Sequence, residues 1–193
     1  MLPRNNFYKD YRKLLRLIND GTVFTAVDTE TTGLNPEEGR VIEIGAVRFS
    51  KDGILNTFNT LINPLIPIPQ ISQNVSHISD EMVAESPVIK DVLPQFLEFI
   101  GDTMLVGHNV GFDMAFLNAE LIRNSMEPFT NKAVDTLGLT RWAYPKAESH
   151  RLQYLANLMK IDVREAHRAC DDARVCMEVF FRSVNDTKSI QKV

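Results

Sequence analysis

Two acidic side chains, Asp28 and Glu30, stand two residues apart at the end of an apolar stretch in the segment FTAVDTETTG, residues 24–33. Alternate side chains of a β-strand point to the same face, so a strand here places both carboxylates together and turns Thr29 away. Carboxylates in apolar surroundings are unfavourable unless they are paired, hydrogen-bonded or bound to a metal. The spacing therefore indicates a pair that can chelate one cation, although acids are also common where a strand simply reaches solvent.

Two further acids, Asp113 and Asp172, are candidates for the same site. Asp113 ends the segment GHNVGFD after an apolar run, and Asp172 lies in the last predicted helix, five residues after His167. Each has an ordinary alternative, because Asp113 would favour the positive end of a helix and Asp172 would be one solvated acid among several. Four carboxylates without a cysteine or histidine cage suit hard divalent cations such as Mg²⁺ or Mn²⁺.

The elements that would position these acids follow from the hydrophobic pattern. Apolar residues at helical spacing predict an amphipathic helix within residues 7–18, whose basic stripe is interpreted as a solvated face. Alternating and apolar runs predict three leading strands, the first two forming an antiparallel hairpin. A long connection with three prolines follows at residues 66–87, and a helix is predicted from there to about Ile100.

The rest of the chain alternates strands and helices. A fourth strand is predicted in TMLVGHN, a fifth at the start of KAVDTLGLTRWAY, and the last two helices in HRLQYLANLMKI and EAHRACDDARVCMEVFFRSV. This order predicts an α/β fold with a mixed five-stranded sheet, three antiparallel strands leading and parallel strands following, flanked by helices. Ligands of such sheets gather at the carboxyl ends of strands, where Asp28, Glu30 and Asp113 would lie.

The motifs DTETTG, HNVGFD and H-x4-D occur in this order, each attached to the expected element. This pattern resembles the DEDDh family of 3′ to 5′ exonucleases, which has a ribonuclease H-like fold and includes the proofreading epsilon subunit of bacterial DNA polymerase III. The resemblance covers about residues 22–184. It implies two-metal-ion hydrolysis of phosphodiesters, in which two ions roughly 3.5 to 4 Å apart activate a water and stabilise the leaving 3′ oxygen.

The resemblance also implies roles for individual residues. The first metal would be held by Asp28, Glu30 and Asp172, and the second by Asp28 with help from Asp113. His167 would be the general base, which suits the near-neutral titration of histidine, although Arg168 beside it indicates an exposed position. The terminal nucleotide would be bound by six residues, namely Thr31, Gly33, Leu34, His108, Asn109 and Phe112.

Composition limits the class of protein. The 193 residues are 44% hydrophobic and 24% charged, which suits one domain with a sizeable core. The two cysteines, Cys170 and Cys176, lack zinc-site spacing and indicate a reducing, cytoplasmic setting. No apolar run approaches the ~20 residues of a membrane span, so no membrane association is expected. The net charge of −4 disfavours a strongly basic nucleic-acid binder but not an enzyme with clustered carboxylates.

No repeat or linker marks a second domain. We expect an amphipathic helix at 1–21 packed on the core, an exonuclease domain at 22–184 and a C-terminal tail at 185–193. The epsilon subunit carries a C-terminal tail that tethers it to the polymerase. Only 21 residues follow Asp172 here, so no such tether is expected and association with a polymerase is left open.

The predicted activity is metal-dependent release of 5′-mononucleotides from single-stranded or frayed DNA 3′ ends. An exoribonuclease of the same family, acting on short RNA or RNA 3′ ends, is an alternative because no motif reports a contact to a 2′-hydroxyl. A non-catalytic nucleic-acid binding module and an α/β domain with a structural Ca²⁺ site are further alternatives. The complete set of five residues, the four acids and His167, disfavours the first of these, and His167 would have no role in the second.

Overall fold

Five strands form one mixed sheet in the order β3-β2-β1-β4-β5. The computed structural model describes residues 6–190, with side chains to residue 186. The strands are β1 (Phe24–Thr31), β2 (Val41–Ser50), β3 (Gly53–Leu61), β4 (Met104–Gly107) and β5 (Ala133–Asp135). β1, β2 and β3 pair antiparallel, whereas β4 pairs parallel with both β1 and β5. The predicted fold class is confirmed.

Eight helices are present in the described part of the chain. They are α1 (Tyr11–Asn19), α2 (Gln70–Ser76), α3 (Asp80–Val83), α4 (Ile89–Ile100), α5 (Gly111–Arg123), α6 (Thr136–Ala143), α7 (Leu152–Leu158) and α8 (Ala169–Ile190). Short helices α2 and α3 lie where the sequence predicted only a connection. Pro69 caps the start of α2, and His77 ends it in a left-handed conformation, so proline bounds this helix and does not interrupt it.

The sheet is covered on both faces. Val27 of β1 lies in an apolar cluster with Phe96 of α4 and Phe116 of α5. Its neighbour Ala26 points the other way, into a cluster that includes Leu14 of α1 and Phe180 of α8. Because β1 alternates in this way, its next residues on the α8 side are Asp28 and Glu30.

The N-terminal segment differs in detail from the prediction. The helix begins at Tyr11, and Phe7 forms a parallel β-bridge with Ala133. Leu14 and Ile18 are buried, so α1 packs on the core. Residues 1–5 of the predicted N-terminal segment and residues 191–193 of the predicted tail lie outside the described residues. Between residues 6 and 190, no helix has the length and apolar character that crossing a membrane requires.

Candidate active site

Two of the predicted acids lie at the carboxyl-terminal end of β1, the central strand of the sheet. Asp28 pairs with Gly45 of β2 and Glu30 pairs with Glu43, and the regular register breaks directly after Glu30. Both acids are partly buried, on the face covered by α8. The alternation inferred from the sequence thus places the two carboxylates on one side of the strand.

Helix α5 brings Asp113 to β1 from its first turn. The Asp113 carboxylate is 4% exposed, and its Oδ1 accepts hydrogen bonds from the Thr29 backbone N at 2.9 Å and from Thr29 Oγ1 at 2.8 Å. Burial raises the pKa of Asp113 to about 7, against the effect of the hydrogen bonds from Thr29. Thr29, which lies between Asp28 and Glu30, therefore anchors the carboxylate of Asp113.

Helix α8 carries Asp172 in its first turn, and the loop before it carries His167. Asp172 Oδ1 accepts a hydrogen bond from Gln153 Nε2 of α7 at 2.8 Å, and Oδ2 accepts one from the His167 backbone N at 3.1 Å. His167 is exposed and has a φ of 61°, in the left-handed region. The carboxylate of Asp172 thus holds both α7 and the histidine loop.

Glu30, His167 and Asp172 meet at one point. Each offers a ligand atom, and the three atoms lie within 4.8 Å of one another, which suits a bound metal ion. Carboxylate oxygens and one imidazole nitrogen are ligands that divalent cations accept. Asp28 and Asp113 lie outside this three-residue group, which is the one such group found in the described part of the chain.

The carboxyl groups of the site oppose one another's ionisation. Burial, followed by repulsion from Asp113 and Asp172, raises the pKa of Asp28 well above its ordinary value. Burial and the charge of Asp172 raise the pKa of Glu30 to about 8. Burial also raises the pKa of Asp172, while the hydrogen bond from His167 acts the other way. A divalent cation would relieve this repulsion, so the residues fit a metal site.

An apolar cleft of about 830 Å³ opens beside Glu30. Its walls include Leu34, Phe112 and two residues of α2, Ile71 and Val75. The side chains of Leu34 and Ile71 are 86% and 75% exposed, which is unusual for residues of this size and typical of a surface that binds a ligand. Of the predicted nucleotide contacts, four line this cleft: Thr31, Gly33, Leu34 and Phe112.

A second cavity, of about 410 Å³, lies on the other side of the acids. Its lining comprises Asp28, His108, Arg151, Leu152, Gln153, His167 and Asp172. Both ring nitrogens of His108 are engaged, Nδ1 with Thr136 Oγ1 at 2.9 Å and Nε2 with the His150 carbonyl at 2.8 Å. Asn109 lines neither cavity, and its backbone N donates to Asp135. Glu30 lines the first cavity, whereas His167 and Asp172 line the second, so the three-residue group borders both.

The sequence reasoning missed several residues around this site. Ile71 and Val75 were assigned to a connection, although their spacing of four residues fits one face of a helix. Arg151 directly precedes α7 and Gln153 lies in its first turn. Neither residue belongs to a motif in the sequence. Arg168 was considered only as a sign that His167 is exposed, yet its own side chain is 27% exposed and paired with a buried acid, Glu43.

The mixed five-stranded sheet, with acids of β1 and α8 grouped beside a cleft and an acid of α5 bonded to β1, defines this protein as an α/β domain with a candidate acidic active site. The family model RNase_T, described as an exonuclease, matches residues 25–180. The chain belongs to this exonuclease family. It is an enzyme, a 3′ to 5′ exonuclease that hydrolyses phosphodiester bonds.

Relatives in sequence include two kinds of DNA polymerase III protein. The DNA polymerase III subunit epsilon of Treponema pallidum (strain Nichols) is 46% identical over 165 residues, which are 84% of this chain and 77% of the relative. The PolC-type DNA polymerase III of Caldanaerobacter subterraneus subsp. tengcongensis is 35% identical over 167 residues, 86% of this chain but 12% of that much longer protein. The resemblance to the epsilon subunit is confirmed.

Solved structures share the fold. Exonuclease X in complex with 5′ overhanging duplex DNA matches with a TM-score of 0.67 and 25% identity, covering 86% of this chain and 92% of that one. Exonuclease I of E. coli in complex with a dT13 oligonucleotide matches with a TM-score of 0.75, covering 88% of this chain and 42% of that one. At 18% identity the second match supports the fold alone.

Proposed function

We propose that the protein is a metal-dependent exonuclease that removes 5′-mononucleotides from single-stranded or frayed DNA 3′ ends. The observation that carries this proposal is the convergence of Glu30, His167 and Asp172 within 4.8 Å. DNA as substrate is supported by the DNA-bound Exonuclease X and by the DNA polymerase subunit among the relatives. Residues 22–184 would form the exonuclease domain, with the N-terminal helix packed on it.

Two divalent ions, Mg²⁺ or Mn²⁺, would be held by the acids. Asp28, Glu30 and Asp172 would hold the first, and Asp28 with Asp113 the second. The raised pKa values of Glu30 and Asp113 support this assignment, because clustered carboxyls that resist ionisation are suited to a cationic partner. When bound, such ions lower the pKa of a coordinated water and neutralise charge on the phosphate.

His167 would accept the proton of the attacking water. Its imidazole lies beside Glu30 and Asp172 and is exposed to solvent, and its backbone N is tied to Asp172 Oδ2. This hydrogen bond holds the histidine loop next to the site and leaves both ring nitrogens of His167 available. The imidazole is therefore free to take a proton at one ring nitrogen and release it to solvent.

The apolar cleft would receive the 3′-terminal base. Leu34 and Phe112 would bound it on one side, and Ile71 and Val75 of α2 on the other. A base enters such a cleft only after it leaves its neighbours, and unpairing a base costs a few kcal/mol. Frayed and single-stranded ends should therefore be cut faster than paired ends.

Arg151 would contact the backbone of the bound strand. It is the arginine in the lining of the second cavity, which it shares with Asp28 and His167. Within residues 6–186 its guanidinium takes part in no ion pair, so it remains available to a ligand. Arginine binds phosphate oxygens well because its planar fork presents several donors.

The test is digestion of 5′-labelled oligonucleotides, DNA beside RNA, with Mg²⁺, Mn²⁺ or EDTA. The expected result is a ladder of shortened DNA products that requires metal, is lost in Asp172→Asn and is unchanged in Glu98→Gln, an exposed acid on α4. Cleavage within the strand, or cleavage that persists in EDTA, would contradict the proposal. A ladder on RNA but not on DNA would support the metal-dependent chemistry but identify RNA, and not DNA, as the substrate.

A further inference from the structure

A buried acid outside the proposed metal set lies directly beneath the active site. Glu43 of β2 is fully buried and sits opposite Glu30 in the pairing of β1 with β2. It lines neither of the two cavities, so it contacts neither water nor substrate there. A buried carboxylate is unfavourable unless hydrogen bonds and a charged partner compensate it.

Glu43 is compensated by the segment that joins His167 to α8. Arg168 donates from Nε to both carboxylate oxygens at 3.2 Å and from Nη2 to Oε1 at 2.8 Å. The backbone N of Ala169, the first residue of α8, donates to Oε2 at 3.0 Å. One acid on β2 thus binds two consecutive residues of the chain, in a forked geometry that favours a single orientation of the guanidinium.

Gly45, on the same face of β2 as Glu43, provides an independent sign that this junction is closely packed. A Cβ atom at Gly45 would lie 2.1 Å from the Ala169 carbonyl carbon and from the Cys170 N. No side chain can therefore stand at this position without moving α8 off the sheet. The start of α8 rests on the backbone of β2.

Arg168 and Ala169 lie between two residues of the proposed chemistry. His167 precedes them in a left-handed conformation with a φ of 61°, and Asp172 follows one helical turn later. The Asp172 backbone N donates to the Arg168 carbonyl at 3.0 Å, so a shift of Arg168 moves both neighbours. Left-handed backbone at a residue other than glycine persists when the surrounding contacts hold it there.

We propose that Glu43 and Arg168 form a positioning pair that fixes the His167 imidazole and the Asp172 carboxylate relative to Glu30. The pair acts through the backbone and does not touch substrate. This inference rests on the proposed function, because it gives the pair the task of placing the proton acceptor. Displacement of a reacting group by about 1 Å can lower a rate by roughly 10²-fold, which sets the size of the expected effect.

The first experiment separates positioning from folding. Arg168→Ala leaves Glu43 buried without its partner and should lower both the melting temperature and kcat. The double variant Glu43→Gln/Arg168→Ala removes the unpaired charge, so its melting temperature should return toward wild type while kcat stays roughly 10²-fold low and KM for the oligonucleotide changes less than about threefold. Recovery of kcat together with the melting temperature would overturn the proposal, because the pair would then serve the fold alone.

A conservative variant and a matched control sharpen this result. Arg168→Lys keeps the charge but not the fork, so it should recover part of the rate lost in Arg168→Ala. Arg164→Ala changes another arginine of the same loop, whose side chain is 70% exposed and 3.7 Å from an exposed aspartate, and should keep the wild-type rate. A loss in Arg164→Ala as large as in Arg168→Ala would show that any change in the loop suffices and would contradict the specific role of the pair.

The second experiment couples Arg168 to His167. If Arg168 acts by placing the imidazole, His167→Ala should lower kcat strongly in the wild-type background and much less in the Glu43→Gln/Arg168→Ala background. Fully additive losses would overturn the positioning role while leaving His167 as the base. A wild-type rate in His167→Ala alone would instead refute the base role that the proposed function gives to His167. A wild-type protein that cuts in EDTA would refute the proposed function itself, so these failures are distinguishable.

Discussion

Replacing Glu30 by glutamine should stabilise the metal-free protein while abolishing its activity. The folded protein holds the Glu30 proton up to about pH 8, because burial and the charges of Asp172, Glu43 and Asp113 oppose ionisation. In the unfolded chain the same carboxyl ionises near its ordinary value of 4.5. The folded state therefore binds more protons between these two values, and stability falls as the pH rises through that window.

The size of the effect follows from this difference. Ionised Glu30 above pH 8 opposes folding by at most about 5 kcal/mol, since each tenfold difference in proton affinity corresponds to about 1.4 kcal/mol. Protons taken up by the neighbouring carboxyls reduce this, and we expect a gain of about 2 kcal/mol for Glu30→Gln. For a chain of this length, that gain raises the melting temperature by about 4 to 8 °C.

The assay is thermal unfolding in EDTA at pH 5 and pH 9, followed by circular dichroism. The gain of Glu30→Gln over wild type should be small at pH 5 and full at pH 9, whereas the control Glu98→Gln should match wild type at both. Added Mg²⁺ or Mn²⁺ should stabilise wild type more than Glu30→Gln at pH 9, because the bound ion needs the carboxylate. A melting temperature of Glu30→Gln at or below wild type in EDTA at pH 9 would refute the electrostatic reasoning.

Three further variants test the parts of the proposed site separately. His167→Ala should lower the rate by roughly 10²- to 10⁴-fold, with partial recovery as hydroxide rises at high pH, and a wild-type rate would leave the proton acceptor unidentified. Leu34→Ala should reduce cleavage of paired ends more than of single strands, because Leu34 bounds the cleft that holds the separated terminal base, and an unchanged ratio of the two rates would contradict this role. Arg151→Ala should raise KM and reduce the salt dependence of binding by about one counterion, whereas an unaltered salt dependence would contradict a phosphate contact.

The sequence alone determined the fold class and the order of the acidic motifs. Period-two alternation placed Asp28 and Glu30 on one face of β1, a local property that any strand would confer. Alternation of later strands and helices predicted a sheet whose parallel part follows its antiparallel part, as the order of strands shows. These features depend on residues that are close in sequence, so the sequence pattern predicts them without knowledge of the fold.

Tertiary structure alone decided which residues support those acids. No motif of the sequence gives Arg168 a partner, yet Glu43, 125 positions earlier, pairs with it in the fold. Ile71 and Val75 read as part of a connection, yet the fold brings them into the same cleft as Leu34, which follows β1. The physical reason is that burial, charge pairing and cleft shape arise where β2, α2 and α8 pack together, and such long-range contacts leave no periodic trace in the sequence.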